Sequence, residues 1–340
     1  MDEMDKTLPV ETVQNRPAGL GLGADQKTGL KRFWSVFFPV LQYAAAGWFL
    51  WFYYQTIQDD WGEIVRFGFH PNPFWFGLGA LFLFLGHSWQ PAAFWYNFKC
   101  TGVSVPLRDS YKIYCMAHIA HYLPGRIWSY LSFAYLGKFL GIAPTQLLAA
   151  LYLGFVASLL SGAAFTVFAL PLFHHLGIPN WGLAAFVVLL LVLFIPKVFQ
   201  AILKTFGRLV RSPMAELPAP FGWRPVFFSS LYYGFSWLLN SAGVVCLVLS
   251  LHSLTAEQVL YSFSAFPLAY LAGYLAFFAA GGLGVREGVM LGLLSVYLPP
   301  YAAASVPIAA RLLTLTYEGG WFLVAWRLPW KSKGVVERVG

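Results

Sequence analysis

A glycine-rich interruption between two apolar segments restricts the fold of this chain more than any other feature. Residues 279–287 read AAGGLGVRE, which places the charged pair Arg286 and Glu287 directly after the glycines. No charged residue occurs at positions 260–278 or 288–310. At membrane depth, non-helical backbone is tolerated only where protein buries it or where it lines a wet cavity, and an ionisable residue there indicates a functional site. We therefore predict that the functional site includes this break.

The composition indicates an integral membrane protein. Of the 340 residues 59% are hydrophobic and 11% are charged, whereas soluble domains carry about 25% charged residues. The three cysteines are scattered without a CxxC pair, so we interpret them as small apolar residues rather than as a disulfide framework or zinc site. The expected fold class is an all-α, polytopic membrane helix bundle.

Long apolar segments and the basic residues between them predict the topology. Segments of about 20 apolar residues, long enough to span a bilayer, lie near 33–54, 73–96, 144–170, 180–201, 225–250 and 301–327. The basic residues collect on one side of these spans, and the other side has only Arg66, beside Asp59, Asp60 and Glu63. The positive-inside rule then predicts a multi-pass protein of the bacterial inner membrane with both termini in the cytoplasm.

The net charge of +8 follows the membrane sidedness, so it does not indicate a nucleic-acid partner. We expect residues 1–30 to form a disordered cytoplasmic tail, residues 31–330 the membrane domain, and residues 331–340 a basic cytoplasmic tail. Neither tail has room for a soluble catalytic domain.

Two apolar segments do not read as simple spans. Segment 111–141 is broken at 122–126, and segment 257–298 is broken at 281–284. We predict two re-entrant helical hairpins, one entering from each side, within inverted units at about 73–170 and 225–327. Inverted repeats with broken helices are the architecture of secondary transporters. The alternative is that both segments are full, kinked spans.

The two breaks provide most of the predicted binding residues. A half-helix that begins at a break presents free N–H groups and a partial positive charge, which suits phosphate. An arginine beside it adds a planar group that matches phosphate oxygens. The residues of the two breaks predicted to bind substrate are Gly125, Arg126, Gly282, Gly284 and Arg286.

Three further charged residues complete the predicted site. Glu287 is expected to balance an arginine or to exchange a proton, and Arg311 and Glu318 lie about two turns apart on one helical face, where they can line one cavity. The alternative is that these charges neutralise one another structurally.

Metal binding and catalysis are not predicted. His118 and His121 have a spacing that suits a metal, but no carboxylate lies near them in sequence. Polar residues such as His87, Gln90 and Asn240 more often connect helices than bind substrate. Because no Walker A, HExxH, GxSxG or Asp-x-Asp motif occurs, we expect a protein without cofactor or metal that is not an enzyme.

Three motifs resemble a known family. Residues 266–270 read FPLAY, 281–287 read GGLGVRE and 311–314 read RLLT. They resemble the C-terminal signature of the lysylphosphatidylglycerol synthase transmembrane-region family, often called flippase-like. Residues 123–126, LPGR, followed by Tyr130 and Leu131, resemble its first break. This chain has Trp128 and Ser129 where the family usually has glycine and glutamate, and Ala280 where it has proline.

The resemblance implies lipid translocation between leaflets. The soluble aminoacyl-transferase domain of the best-known members has no counterpart here, so synthase activity is not expected. The predicted substrate is a lipid with an anionic headgroup, either a phospholipid or a polyprenyl-phosphate-linked sugar. The alternatives are a membrane glycosyltransferase acting on a lipid-linked sugar, with Asp59, Asp60 and Glu63 as its acidic cluster, and a non-transporting partner of a lipid-modifying enzyme.

Overall fold

Eight α-helices make up most of the described structure. The computed structural model describes residues 70–122, 127–169, 222–276 and 279–331, together with positions 172, 181, 185, 188, 337 and 338. The helices are α1 (Pro73–Cys100), α2 (Leu107–His118), α3 (Ile127–Phe139), α4 (Pro144–Phe165), α5 (Trp223–Leu249), α6 (Ala256–Leu275), α7 (Val285–Leu294) and α8 (Pro300–Arg327). The all-α prediction is therefore confirmed. The predicted spans at 33–54 and 180–201 and the N-terminal tail lie outside the described residues, apart from three isolated positions.

Local sequence signals explain where the long helices begin. Pro73, Pro144 and Pro300 each occupy the first turn of a helix, where the missing N–H has no intrahelical partner to lose. The Asn72 side chain also accepts a hydrogen bond of 3.0 Å from the Phe74 N–H. Thr255 and Gln258 form a capping box at the start of α6. These signals account for helix starts within two residues of the predicted spans.

Two described helices are long and apolar enough to cross a bilayer, at Pro144–Ala169 and Trp223–Leu249. The first of them is α4 extended by a short 3-10 turn, Thr166–Ala169. Helices α1 and α8 have 28 residues each. At 1.5 Å per residue, 28 residues extend about 42 Å, which exceeds the roughly 30 Å of hydrocarbon in a bilayer.

Small residues allow α1 and α5 to pack closely. A Cβ added at Gly86 would lie 2.6 Å from the Asn240 side chain, and one added at Gly243 would lie 2.8 Å from Leu83. The Ser236 hydroxyl donates a hydrogen bond of 2.8 Å to the Gly86 carbonyl. Close approach through small residues with interhelical hydrogen bonds is the usual way in which membrane helices associate. This crossing forms one wall of the cavity described below.

The second predicted break interrupts a helix and is longer than expected, whereas most of the first break falls outside the described residues. Helix α2 passes into a 3-10 turn, Ile119–Tyr122, and α3 begins at Ile127; the four residues between them lie outside the described residues. Helix α6 ends at Leu275, six positions before the predicted break, and a 3-10 turn at Ala280–Gly282 precedes α7. Ala276 leaves the helical conformation, with φ −77° and ψ 68°. These angles are those of an inverse γ-turn, so the helix does not continue past this residue.

Two described residues near the C-terminus pair with the segment between α1 and α2. Glu337 and Arg338 form a short strand, β2, antiparallel to a two-residue strand, β1 (Val103–Ser104), between α1 and α2. The Lys331 N–H donates a hydrogen bond of 3.0 Å to the buried carboxylate of Asp109. The Lys112 side chain donates to the Leu328 carbonyl and lies over the Trp330 ring. The end of α8 is therefore anchored to the start of α2.

Candidate functional site

A cavity of about 200 Å³ lies between two hydrophobic clusters of the bundle. Phe94 and Phe133 belong to one cluster and Tyr233, Trp237 and Phe266 to the other, and all five line the cavity. The polar groups of its wall include His87, Gln90, His118, His121, Ser158, Ser236, Asn240, Arg286 and Glu318. A cavity with apolar walls and a few convergent polar groups is typical of a ligand site.

We infer that the cavity opens between α3 and α4, because one lining residue on each of these helices is exposed. Tyr130 on α3 and Phe155 on α4 both line it, and both are exposed on the outside of the bundle, by 52% and 36%. A side chain that is exposed outside and also lines a cavity marks its mouth. The mouth is therefore framed by two aromatic rings on the lateral face of two helices.

Arg286 is a buried cation in the cavity wall. It lies in the first turn of α7 and is only 8% exposed. Its guanidinium lies 3.9 Å from the centre of the Tyr270 ring, an arrangement in which the ring face attracts the cation. Among the described residues, no carboxylate forms an ion pair with Arg286. Its Nε atom is buried without a hydrogen-bond partner there.

Two glycines make room for the Arg286 side chain. A Cβ at Gly273 in α6 would lie 2.6 Å from its Cγ, and a Cβ at Gly282 would lie 2.8 Å from its Nε. Gly282 also has φ +69° and Gly284 has φ +88°, values that favour glycine because it lacks a Cβ. Gly282 and Gly284, two of the three glycines predicted to belong to the site, therefore shape the break, and Gly273 and Gly282 leave space for the arginine.

Arg311 and Glu287 form a buried ion pair. The Arg311 Nε lies 3.2 Å from the Glu287 Oε1, and both side chains are about one-tenth exposed. The other carboxylate oxygen of Glu287 accepts a hydrogen bond of 2.7 Å from the Gly284 N–H, at the N-terminus of α7. Glu287 therefore stabilises the start of α7 and neutralises Arg311 at the same time.

Glu318 has other partners than this pair. It accepts a hydrogen bond of 2.7 Å from the Tyr122 hydroxyl, and its other oxygen lies 3.8 Å from the His118 Nε2. We expected Arg311 and Glu318 to line one cavity. Arg311 instead lines a smaller neighbouring cavity of about 20 Å³, together with Arg286 and Glu287. The Tyr122 side chain contacts both residues. Its hydroxyl donates to Glu318, and the Arg311 guanidinium lies 5.2 Å from the centre of its ring.

The end of the first interrupted segment contacts the second break. Gly281 has φ +59°, and a Cβ there would lie 3.0 Å from the Tyr122 ring and 3.1 Å from the His121 ring. The two predicted substrate-binding residues of the first break, Gly125 and Arg126, lie outside the described residues. Asp59, Asp60 and Glu63, on which the glycosyltransferase alternative depends, also lie outside them.

The sequence profile of a known family matches most of the chain. The profile described as Lysylphosphatidylglycerol synthase TM region matches residues 39–317. The chain belongs to this family. None of the curated proteins matches the chain at a significant level. The family is a membrane domain of lipid-related proteins, so the chain is a membrane protein, and its family is compatible with a lipid-related role.

Membership of the family confirms the resemblance that the motifs predicted, and the structure places three of those motifs together. Tyr270 of FPLAY lies against Arg286 of GGLGVRE, and Glu287 of that same motif pairs with Arg311 of RLLT. The predicted residues Arg286, Glu287, Arg311 and Glu318 thus form one connected region. Residues that sequence reasoning did not assign to the site include Tyr122 and Tyr270, whose roles depend on contacts across the fold.

The histidines show why the sequence argument against a metal was incomplete. It assumed that no carboxylate lies near His118 and His121, and this is wrong in three dimensions. Glu318, 196 positions after Tyr122, reaches them from α8. One ring nitrogen of each histidine and a carboxylate oxygen of Glu318 all lie within 4.8 Å of one another.

The double role of Glu287 gives a stability prediction. Glu287→Ala removes the N-terminal hydrogen bond of α7 and leaves the buried Arg311 without its charge partner, which we expect to cost about 3–5 kcal/mol of unfolding free energy. Glu287→Gln keeps an oxygen that can accept from the Gly284 N–H, so it should cost about 1 kcal/mol less. Thermal unfolding in detergent micelles measures both. Equal losses in the two variants would show that the hydrogen bond at Gly284 contributes nothing.

Proposed function

We propose that this protein is a transporter that moves a lipid with an anionic, phosphate-bearing headgroup between the leaflets of the membrane. The observation that carries the proposal is Arg286, a buried cation in the cavity wall that pairs with no carboxylate among the described residues. A charged side chain at the centre of a bilayer costs at least about 2.5–3.5 kcal/mol. Such a cost is offset when the charge meets an anion.

The neighbouring charges favour an anion at Arg286 rather than elsewhere. Glu287 is occupied by Arg311 and by the N-terminus of α7. Glu318 is held by Tyr122 and faces His118. The N-terminal end of α7 adds a partial positive charge close to Arg286. A phosphate group can accept two parallel hydrogen bonds from one guanidinium, which a lysine does not provide.

The mouth of the cavity suits a substrate that stays partly in lipid. Tyr130 and Phe155 present aromatic rings at the opening. We propose that the headgroup enters between α3 and α4 while the acyl or prenyl chains remain in the bilayer. The polar groups of the wall then replace the water that the headgroup loses.

The re-entrant hairpins and the inverted repeat form part of this proposal. Two interrupted segments, α2–α3 and α6–α7, are each flanked by two longer helices. The contact of Gly281 with His121 and Tyr122 supports a site in which both breaks meet. Arg126 remains a predicted second phosphate contact. Within the bundle, units 73–170 and 225–327 are the proposed repeats.

We also propose a multi-pass arrangement in the inner membrane with both termini in the cytoplasm, based on the distribution of basic residues. Single cysteines introduced near Asp60 and His175 should react with an impermeant thiol reagent from outside sealed cells. A cysteine near Arg211 should not react until the membrane is opened. External labelling near Arg211 would contradict the topology.

A competition experiment in proteoliposomes tests the function. The purified chain is reconstituted, and the movement of a fluorescent phosphate-bearing lipid between leaflets is followed. Matched lipids with and without a phosphate, and with the same chains, then compete. We expect the phosphate-bearing competitor to inhibit at roughly 10- to 100-fold lower concentration, the equivalent of one charge-assisted contact of about 1.5–3 kcal/mol. Equal inhibition by both lipids would contradict the anionic-headgroup proposal, and equal lipid movement in protein-free vesicles would contradict transport.

A further inference from the structure

Three potential metal ligands converge at one end of the cavity, from parts of the chain that are distant in sequence. His118 ends α2, His121 lies in the 3-10 turn that follows, and Glu318 lies on α8. One nitrogen of each histidine and one oxygen of Glu318 lie within 4.8 Å of one another. All three residues line the cavity. The lipid-binding proposal rests on Arg286 and assigns no metal to this group of atoms.

The change from α-helix to 3-10 helix brings the two histidines side by side. In a 3-10 helix, with three residues per turn, side chains at positions i and i+3 are eclipsed. The ring centres of His118 and His121 accordingly lie 4.5 Å apart. In an ideal α-helix these two side chains would be separated by about 60° around the helix axis. The local helix type therefore gathers two ligands on one side.

Hydrogen bonds orient two of the three ligands. The His121 Nδ1 contacts the His118 carbonyl oxygen, which can only accept, so Nδ1 carries the hydrogen and Nε2 keeps a lone pair in the neutral ring. The Tyr122 hydroxyl donates to the Glu318 Oε2, and the Oε1 faces the His118 Nε2 at 3.8 Å. Hydrogen bonds of this kind orient metal ligands and fix the histidine tautomer in known metal sites.

The spacing of these atoms is close to that of a bound ion. Ligands about 2.0–2.2 Å from a tetrahedral zinc ion are roughly 3.4 Å from one another. The His118–Glu318 distance of 3.8 Å exceeds that value by a few tenths of an ångström. The other ligand atoms lie within 4.8 Å of one another, a separation that rotation of side chains bordering the cavity would reduce. Two imidazoles and one carboxylate form a ligand set that occurs in zinc sites with an open position.

We propose that His118, His121 and Glu318 bind a divalent transition-metal ion of the zinc class, with the fourth coordination position open to the cavity. Two nitrogen ligands favour such an ion over Mg²⁺ or Ca²⁺, which prefer oxygen ligands. The His118 side chain is 32% exposed, so an ion can reach it from the cavity. This inference goes beyond the proposed lipid transport and does not depend on it, because the ion and its ligands need no lipid.

The experiment measures metal binding by the purified full-length chain in detergent, without lipid substrate. The protein is treated with a chelator, dialysed and titrated with Zn²⁺ in competition with a chromophoric chelator. A parallel titration with Co²⁺ reports the coordination geometry through its visible absorption. We expect one Zn²⁺ per chain and an absorption spectrum typical of a four- or five-coordinate Co²⁺ ion.

Single variants identify the ligands. His118→Ala, His121→Ala and Glu318→Gln should each weaken Zn²⁺ binding by at least about 100-fold, because removal of a group that only orients a ligand already costs 10- to 100-fold. Tyr122→Phe, which removes such an orienting hydrogen bond from Glu318, should fall in that smaller range. Glu318→Gln keeps an acceptor for Tyr122, so this variant is the least disturbing to the fold.

Two control variants keep the test specific. His252→Ala removes a histidine three positions after α5, and Cys115→Ser removes a thiol one turn before His118; neither belongs to the cluster. Both should bind Zn²⁺ as the unchanged protein does. The proposal is overturned if the unchanged protein binds no more Zn²⁺ than the His118→Ala/His121→Ala double variant, or if His252→Ala loses as much affinity as the ligand variants. If variants that bind no Zn²⁺ still transport lipid at the normal rate, the lipid proposal holds independently of the metal site.

Discussion

We expect Arg286→Gln to reduce lipid transport by roughly 10- to 100-fold, because it removes one charge-assisted contact of about 1.5–3 kcal/mol with the headgroup phosphate. Glutamine keeps a hydrogen-bonding group of moderate size at a position that is only 8% exposed. The change therefore affects charge more than packing. Initial rates of lipid movement in proteoliposomes, divided by the amount of reconstituted protein, give the measurement.

Arg286→Lys separates charge from geometry at the same position. Lysine keeps the positive charge but lacks the planar fork that contacts two phosphate oxygens at once and stacks on an aromatic face. The guanidinium now lies 3.9 Å from the centre of the Tyr270 ring, in a space bordered by Gly273 and Gly282. We expect transport by Arg286→Lys to fall clearly below that of the unchanged protein and to exceed that of Arg286→Gln.

The control for both variants is Arg327→Gln, which removes an exposed arginine at the last position of α8. It should leave transport unchanged per molecule of protein. If Arg286→Gln transports at the normal rate per folded molecule, Arg286 has only a structural role and the anion site is excluded. A comparable loss in Arg327→Gln would mean that general positive charge, rather than the cavity, governs the rate.

We expect Gly282→Ala to impair both stability and transport, because the position allows no Cβ. Its φ of +69° costs an L-residue about 1–2 kcal/mol. The new methyl group would also lie 2.8 Å from the Arg286 Nε, so the guanidinium has to move away from its position over Tyr270. Thermal unfolding in detergent measures the first effect, and transport per folded molecule measures the second.

Gly320→Ala is the matched control for this substitution. Gly320 lies in the interior of α8, and a Cβ there would meet no atom within 4 Å. Alanine is more favourable than glycine in a helix by roughly 0.8–1 kcal/mol, so this variant should unfold at the same temperature or a higher one. Full transport and unchanged unfolding in Gly282→Ala would mean that the break adopts another conformation in the membrane.

The metal cluster and the anion site predict one further relation between the two proposals. The two arginines and two glutamates of the region cancel in charge, and a divalent ion beside them would add positive charge to the cavity. An anionic headgroup and the ion should then bind more tightly together than separately, by the same factor in both directions. The Arg286 variants test the contribution of the anion site, and the His118, His121 and Glu318 variants test that of the ion.

The sequence was sufficient to predict where the long described helices begin. The long ones, such as α4 and α5, begin within two residues of the predicted spans, because length, apolar content and proline at the first turn are local properties. The second break was also predicted from the sequence, since the glycines that adopt positive φ there occur as a cluster in the sequence. The early end of α6 at Leu275 was not predicted, because the residues between Leu275 and the break are apolar and compatible with a longer helix.

The arrangement of the site depended on contacts between distant segments. Local patterns showed that Arg286, Glu287, Arg311 and Glu318 are unusual charges in apolar segments, but gave no information on how they pair. Arg311 pairs with Glu287, and Glu318 instead lies beside His118 and His121. Likewise, nothing in the sequence near Val103 indicates a partner at Arg338. A residue's own helix sets its periodicity and ends, whereas the groups that satisfy a buried charge come from whichever helices pack against it.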